Sequence, residues 1–189
     1  FARQMFPILK YHRFWKMEPA DPKLQTTIFN GFELRAAVAP YTGGVYMHAT
    51  DDRTPVTFIT RYYLDKIKRL CDAHGTKLLF VTAPSPVNHT MQRHNEVQAL
   101  ADALAVPYLD LNLNTEELGI DWNLDTLDGG DHLNYTGCQK ATAYLQRYMQ
   151  THYTLPDRRK DARYETWNKR AAEFENCLLY TSPSPRDRG

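Results

Sequence analysis

The stretch GTKLLFVTAP, residues 75–84, decides the fold class of this 189-residue chain. Its four consecutive apolar residues, 78–81, lie between a glycine that ends a helix and Pro84. A short run that is apolar on both faces is typical of a buried parallel strand. A second short strand is predicted at residues 106–111, which are mostly apolar or aromatic. Residues 90–105 between the two have helical spacing, as a crossover between parallel strands requires.

Three helices are predicted around these strands, at residues 54–74, 90–105 and 137–153. Thr54 followed by Pro55 is a favourable start for the first helix, because proline suits the first helical position. Asn134 or Thr136 is the expected cap of the third helix. Helix, strand, helix, strand and helix in this order predict half of a doubly wound α/β domain.

Composition divides the chain into three segments: a domain at 1–155, a charged peripheral helix at 156–176 and a tail at 177–189. Residues 177–187 read CLLYTSPSPRD, the translation of a transposon-based sequencing adapter, so we expect the tail to be non-native. Without its Arg186, Asp187 and Arg188, the 23 basic and 22 acidic residues of the chain become 21 of each.

Charge, hydropathy and cysteine content argue against several classes of protein. Electrostatic nucleic-acid binding needs a basic excess, which a balanced chain lacks. No run approaches the roughly 18 apolar residues of a membrane-spanning helix. The three cysteines are too few and too scattered for a disulfide framework or a zinc ribbon. We therefore predict no nucleic-acid partner and no membrane span.

The segment DTLDGGDHLNYTG, residues 125–137, is the most informative for chemistry. It places three carboxylates and one histidine around a Gly-Gly turn before a helix, and loops after parallel strands form ligand sites. A carboxylate that accepts the ring N–H of His132 would fix its tautomer and make it a positioned general base. Asp128 can fold back over the Gly-Gly turn to reach the ring, and Asp131 can reach it where the backbone turns.

Two other interpretations of this segment remain open. Asp, Gly and Asn are common in turns, and an aspartate near a helix start is favoured by the helix dipole. Asp128, Asp131 and His132 are also ligand types that suit divalent cations. Adjacent residues rarely bind one ion together, so we predict no metal and no cofactor.

The loop TAPSPVNH, residues 82–89, is the second candidate ligand loop. Ser85 lacks the glycine-flanked elbow of a nucleophilic serine and is interpreted as a turn residue. Together with Asn88 and Asn134, it makes up the predicted set of substrate-binding residues.

Histidines and cysteines elsewhere give weaker indications. His89 and His94 are expected to be surface or packing residues, and Cys71 a core residue. Cys138 lies at a helix start, where a lowered thiol pKa would make it an alternative nucleophile.

The run GDHLN at residues 130–134, followed by Gly137 and a helix, resembles the last conserved block of the SGNH/GDSL hydrolase superfamily. More narrowly, the chain resembles bacterial SGNH/GDSL-like proteins associated with the cell surface, over roughly residues 5–170. The further points of similarity are PILKYH at 7–12, Gly31-Phe32, Pro84-Ser85 and His94-Asn95. The resemblance implies a three-layer α/β/α sandwich with a flavodoxin-like parallel sheet. It also implies hydrolysis or transfer of an ester acyl group by a Ser-His-Asp triad.

On this resemblance, His132 is the catalytic histidine. The family has an aspartate three positions before it, where this chain has Gly129, so Asp128 and Asp131 both remain candidates for the acidic member. No Gly-Asp-Ser-like nucleophile block is found in the sequence. We expect that block to lie upstream, which would leave the domain at 1–155 incomplete at its N-terminus and the fragment inactive alone.

The leading hypothesis is a serine esterase or O-acyltransferase that acts on ester-linked acyl groups of a carbohydrate or cell-envelope polymer. Its expected partner is an acylated carbohydrate or a small ester, and its expected location is extracytoplasmic or at the cell surface. One alternative is a non-catalytic SGNH-like surface domain that binds a glycan or a protein. A second alternative is a metal-dependent hydrolase.

Overall fold

The structure, a computed structural model, describes residues 34–181, with side chains described as far as residue 176. The predictions that concern residues 1–33 and 182–189 lie outside the described residues. The chain divides into two units, one at Leu34–Leu155 and one whose described part is residues 156–181. The strands and the candidate site all lie in the first unit.

Helix α1 spans Phe58–Ala73 and is capped by Thr57, whose Oγ1 accepts a hydrogen bond from the Thr60 N–H. The predicted start at Thr54 is wrong, because residues 54–56 are not helical and bind the next helix. There the Thr54 N–H donates to the carbonyl of Gln92 and the Val56 N–H to Glu96 Oε1.

Two short strands form a parallel sheet in the first unit. Strand β1 spans Phe80–Thr82 and strand β2 spans Tyr108–Asp110, with Phe80 opposite Tyr108 and Thr82 opposite Asp110. Helix α2, Met91–Leu104, makes the crossover between them. It begins at its cap Thr90 and ends at Ala105, which has a left-handed φ of 50°. This arrangement places Asp110 and the loop after β1 at the same edge of the sheet.

Two further helices follow β2. A 3-10 turn at Leu111–Asn114 leads into the one-turn helix α3, Thr115–Leu118. Helix α4, Tyr135–His152, begins at its cap Asn134. Leu109, Leu111 and Leu118 form the buried centre, against which six partly buried residues pack: Leu79, Ile120, Ala141, Tyr144, Leu145 and Tyr148.

The described residues thus form a mixed helix–strand structure with a two-stranded parallel sheet, compatible with the α/β class. A three-layer sandwich is not seen in this part of the chain. Between residues 34 and 181, none of the helices is long and apolar enough to cross a membrane.

The second unit carries a 3-10 turn at Ala162–Tyr164 and helix α5 at Glu165–Thr181. The helix expected over residues 156–176 therefore begins later than predicted. Asp157 and Asp161 instead pair with Arg159 and Arg163 and accept their backbone N–H groups in short turns. Such side-chain-to-backbone bonds compete with helix formation.

Candidate functional site

The turn that carries His132 is closed by two hydrogen bonds across its base, one to a backbone carbonyl and one to a side-chain hydroxyl. The Leu127 N–H donates to the His132 carbonyl at 2.9 Å, and the Gly130 N–H donates to Thr126 Oγ1 at 2.7 Å. Gly129 and Gly130 have φ values of 75° and 102°, which glycine adopts without strain. The two glycines therefore reverse the chain and bring Asp128 back over the turn toward His132.

Asp128 makes two hydrogen bonds to His132. Its Oδ2 lies 2.7 Å from the ring Nδ1, and its Oδ1 accepts the backbone N–H of His132 at 2.8 Å. The nearest carboxylate oxygen of Asp131 is 3.6 Å from the same nitrogen. Of the two candidate partners, Asp128 is therefore the one that orients the ring.

The electrostatics of the pair follow from this geometry. The hydrogen bond to Asp128, followed by the charge of Asp131, raises the pKa of His132 above its ordinary value. The same hydrogen bond lowers the pKa of Asp128. Because a carboxylate can only accept, Nδ1 carries the proton and Nε2 is the nitrogen free to take one. The His132 side chain is 67% exposed, so an incoming group can reach it.

The loop after β1 packs against the His132 turn. The Ser85 hydroxyl donates to the Asp131 carbonyl at 2.9 Å, and Asn88 Nδ2 donates to Asp131 Oδ1. The Val87 N–H bonds to the Gly130 carbonyl at 3.3 Å. The two loops that the sequence singles out are therefore brought together. The Ser85 hydroxyl points its proton at a main-chain carbonyl beside His132 and not at the imidazole.

Asn134 lies at the start of α4 and is 2% exposed. Its Oδ1 accepts the Gly137 N–H, and its Nδ2 donates to the carbonyls of Leu124 and Ala37. These bonds make it the helix cap and tie three segments together. Its predicted role in substrate binding stays a prediction.

A buried cluster around Asp110 was not anticipated as a unit. His89 Nε2 and His94 Nδ1 both donate to Asp110 Oδ2 at 2.8 Å, and Tyr108 OH donates to the same atom at 3.1 Å. His89 is 6% exposed, so the packing interpretation of this residue is correct and the surface one is not. The position of Asp110 at the end of β2, beside the loop that follows β1, was the available indication in the sequence.

Asp110 stays ionised in this environment. Burial alone would raise its pKa, but the hydrogen bonds from His89 and from Asn112 outweigh that effect and hold the pKa well below its usual range. The histidine bonds thereby keep a negative charge inside the unit.

Asn112 connects this cluster to the Ser85 loop. Its Nδ2 donates to Asp110 Oδ1 at 2.8 Å and to the Ala83 carbonyl at 3.0 Å. Its Oδ1 accepts the Ser85 N–H at 2.8 Å and the Tyr46 hydroxyl at 3.1 Å. Through these bonds Asn112 fixes the Ser85 loop to the end of β2.

Cys138 does not have the activated thiol that its position suggested. Burial raises its pKa, the opposite of the lowering expected at a helix start. Its Sγ lies 3.7 Å from the Leu133 carbonyl. The suggestion of a cysteine nucleophile is therefore wrong in its physical premise.

Asp128, Asp131 and His132 each offer one ligand atom, and these atoms lie within 4.8 Å of one another. Asp128 already binds His132, and Asp131 already binds Asn88. A cation at this turn would compete with those bonds for the carboxylate oxygens.

Comparisons of the chain with models of known families, with curated proteins and with solved structures find no match.

Proposed function

We propose that this chain is part of an SGNH-type serine esterase or O-acyltransferase, with His132 as its general base and Asp128 as the carboxylate that orients it. The observation that supports this most directly is the 2.7 Å contact between Asp128 Oδ2 and His132 Nδ1. In the neutral ring it leaves Nε2 unprotonated, on an exposed side chain at the edge where the loops meet.

The proposed reaction uses both ring nitrogens of His132. A serine oxygen forms a bond to the ester carbonyl carbon while its proton moves to Nε2, and Asp128 stabilises the charged ring. The tetrahedral intermediate then expels the alcohol, which takes the proton from Nε2. Water or an acceptor alcohol repeats the two steps in reverse and releases the acyl group.

We assign the attacking serine to a part of the enzyme outside these 189 residues. Ser85 is the only serine before residue 182, and its hydroxyl donates to the Asp131 carbonyl. The substrate class that accompanies this proposal is an acylated carbohydrate or cell-envelope polymer, met outside the cytoplasm or at the cell surface. The fold that accompanies it is a three-layer α/β/α sandwich, of which β1, α2 and β2 are one crossover unit.

The test uses the full chain with p-nitrophenyl acetate, an activated ester that a neutral imidazole hydrolyses slowly without a serine. Without the external serine the chain should show no esterase turnover, only a slow imidazole-catalysed rate. We expect the part of that rate that rises with pH through the raised pKa of His132 to be lost in His132→Gln. His74→Gln is the matched control, because His74 is exposed at the end of α1. Equal rates in the two variants at every pH would remove His132 from the proposal.

The origin of the serine is tested on the same samples. We expect Ser85→Ala to keep the rate of the unchanged chain, and a fluorophosphonate probe to leave Ser85 unlabelled by mass spectrometry. Labelling of Ser85, with loss of turnover in Ser85→Ala, would place the nucleophile inside the chain and overturn the assignment to an external serine.

The cluster of ligand atoms at the His132 turn favours one second candidate, a metal-dependent hydrolase. The esterase proposal expects the His132-dependent rate to be the same with and without EDTA. Activity that vanishes with EDTA and returns with one equivalent of Zn²⁺ or Mn²⁺ would favour the metal-dependent reaction instead.

A further inference from the structure

A cavity of about 600 Å³ opens beside the candidate site, in the same unit of the chain. Its lining comes from residues 41, 42 and 44–47, from residues 112–116 around the start of α3 (Asn112, Thr115 and Glu116) and from Trp122. Its volume falls within the range of small-molecule sites in proteins. Three of its lining residues are aromatic: Tyr41, Tyr46 and Trp122.

The three aromatic rings are arranged edge to face around the cavity. Tyr46 and Trp122 lie 5.8 Å apart at 86°, Tyr41 and Trp122 lie 6.0 Å apart at 70°, and the two tyrosines lie 6.4 Å apart at 84°. Rings at near right angles present both faces and edges to one space. This arrangement is the stable one for aromatic groups, so the cavity wall is preorganised.

Main-chain and side-chain bonds hold the rings in place. The Tyr41 N–H donates to the Trp122 carbonyl at 2.9 Å, and the Tyr46 hydroxyl donates to Asn112 Oδ1 at 3.1 Å. Burial and then the charge of Asp110 raise the pKa of Tyr46, so its hydroxyl keeps the proton that it donates.

The same residues place the cavity next to the His132 turn. A methyl group at Gly130 would lie 2.8 Å from the Tyr41 ring, so this ring touches the turn. Asn112, which lines the cavity, also binds the Ser85 N–H. A molecule in the cavity would therefore have one end close to the loops that carry Ser85 and His132.

The lining selects among ligand classes. Aromatic faces are negative and attract polarised C–H groups, whereas the hydroxyls of Thr42 and Thr115 and the carboxylate of Glu116 suit hydroxyl partners. The carboxylate disfavours an anionic ligand. An acyl chain would need a mainly aliphatic wall, and Val45 and Met47 are the aliphatic side chains in this lining.

From these observations we infer that the cavity binds one neutral sugar ring of a glycan, the alcohol side of the ester. As a substrate site the inference rests on the proposed function, but sugar binding itself does not depend on His132. Sugar binding and ester hydrolysis are therefore measured separately.

The experiment measures binding of cellopentaose and chitopentaose to the full chain by saturation-transfer NMR. We expect saturable binding of at least one of the two, and a loss of about tenfold in affinity for Trp122→Ala, as a lost ring contact would give. Trp167→Ala is the matched control, because Trp167 is an exposed tryptophan of α5, and its affinity should match that of the unchanged chain. Glu116→Gln, a change of charge at an exposed side chain, should weaken binding by a few fold.

Several outcomes would overturn the inference. These are no binding of either oligosaccharide, equal loss in the two tryptophan variants, or displacement of the sugar by octanoate from the same cavity. His132→Gln should bind sugar normally. Sugar binding in a chain without the His132-dependent imidazole rate would remove His132 from the esterase proposal and leave the cavity as the site of a glycan-binding domain.

Discussion

The orientation of His132 depends on one carboxylate out of two that are near it. Asp128 approaches Nδ1 to 2.7 Å and also accepts the backbone N–H, whereas Asp131 stays at 3.6 Å. A hydrogen bond to the charged ring stabilises it more than a carboxylate that lies farther away. The two aspartates should therefore have unequal effects on the same imidazole.

We predict that Asp128→Asn lowers the pKa of His132 toward about 6.5 and that Asp131→Asn lowers it by less. The measurement is an NMR titration of the His132 ring protons in both variants and the unchanged chain. An equal or larger effect from Asp131→Asn would contradict the assignment of Asp128.

The same pair makes a small contribution to stability, and its pH dependence has a definite sign. Because the folded pKa of His132 is raised, the contribution is complete below about pH 6.5 and is lost as the pH rises through the folded value. The ring is 67% exposed, so solvent limits the effect to less than about 1 kcal/mol. The pair therefore affects the protonation of His132 far more than the stability of the fold.

The contact between Asp128 and His132 could be predicted from the sequence because the two residues are near neighbours along the chain. The Gly-Gly pair between Asp128 and His132 indicates a reversal, and the reversal supplies the contact. The cluster of His89, His94 and Asp110 could not be predicted in the same way. Its members come from a loop, a helix and a strand end up to 21 residues apart, and only the packing of α2 on β2 brings them together.

At the scale of elements, the sequence pattern located both strands and the helices α1, α2, α4 and α5, but not the one-turn helix α3 and not all of the boundaries. Thr54 and Pro55 favour an earlier start for α1, yet residues 54–56 are not helical and bind α2 through the Thr54 and Val56 N–H groups. The intrinsic preference of a residue for helix is weak compared with such tertiary hydrogen bonds. Thr90, the first residue of the predicted second helix, is the cap of α2, and Asn134, one of the two expected caps of the third helix, is the cap of α4.

The first turn of α4 depends on the absence of a side chain at Gly137. A methyl group there would lie 2.4 Å from the Asp125 carbonyl oxygen and 3.1 Å from Leu133 Cβ. In the same turn Asn134 Oδ1 accepts the Gly137 N–H, and the Thr136 hydroxyl donates to Asp125 Oδ1. The helix start cannot shift without loss of these bonds. This close approach overrides the usual preference for alanine over glycine in a helix.

We predict that Gly137→Ala destabilises the chain by about 1–3 kcal/mol, as overpacking does. Gly75→Ala is the matched control, since Gly75 has open space around it and only a left-handed φ of 62°. It should cost about 1 kcal/mol from backbone strain. Urea denaturation followed by circular dichroism measures both, and a neutral or stabilising Gly137→Ala would show that α4 does not approach Asp125 so closely.

At the scale of the whole molecule, buried carboxylates determine how the fold responds to acid. Burial raises the pKa of Asp110 and of Asp125, but hydrogen bonds lower each pKa by a larger amount. The main donor is His89 for Asp110 and Lys140 for Asp125. A depressed folded pKa gives stability that is present above the unfolded value of about 3.9 and is lost as the pH falls through the folded one. Acid therefore weakens the same bonds that fix the strand ends beside the candidate site.

We predict that the carboxylate contribution to the free energy of unfolding, measured in urea, is nearly constant above about pH 4 and falls steadily below it. Asp110→Asn should cost about 2–4 kcal/mol at pH 7, because both histidine donors then face an amide in place of a buried charge. It should also flatten the decline below pH 4, since the residue that titrates is gone. Asp102→Asn, an exposed change in α2, should alter neither quantity.

A variant at Asp110 as stable as the one at Asp102 would mean that the buried cluster does not hold the end of β2. The Ser85 loop, which Asn112 fastens to that cluster, would then lack the support on which the geometry around His132 depends.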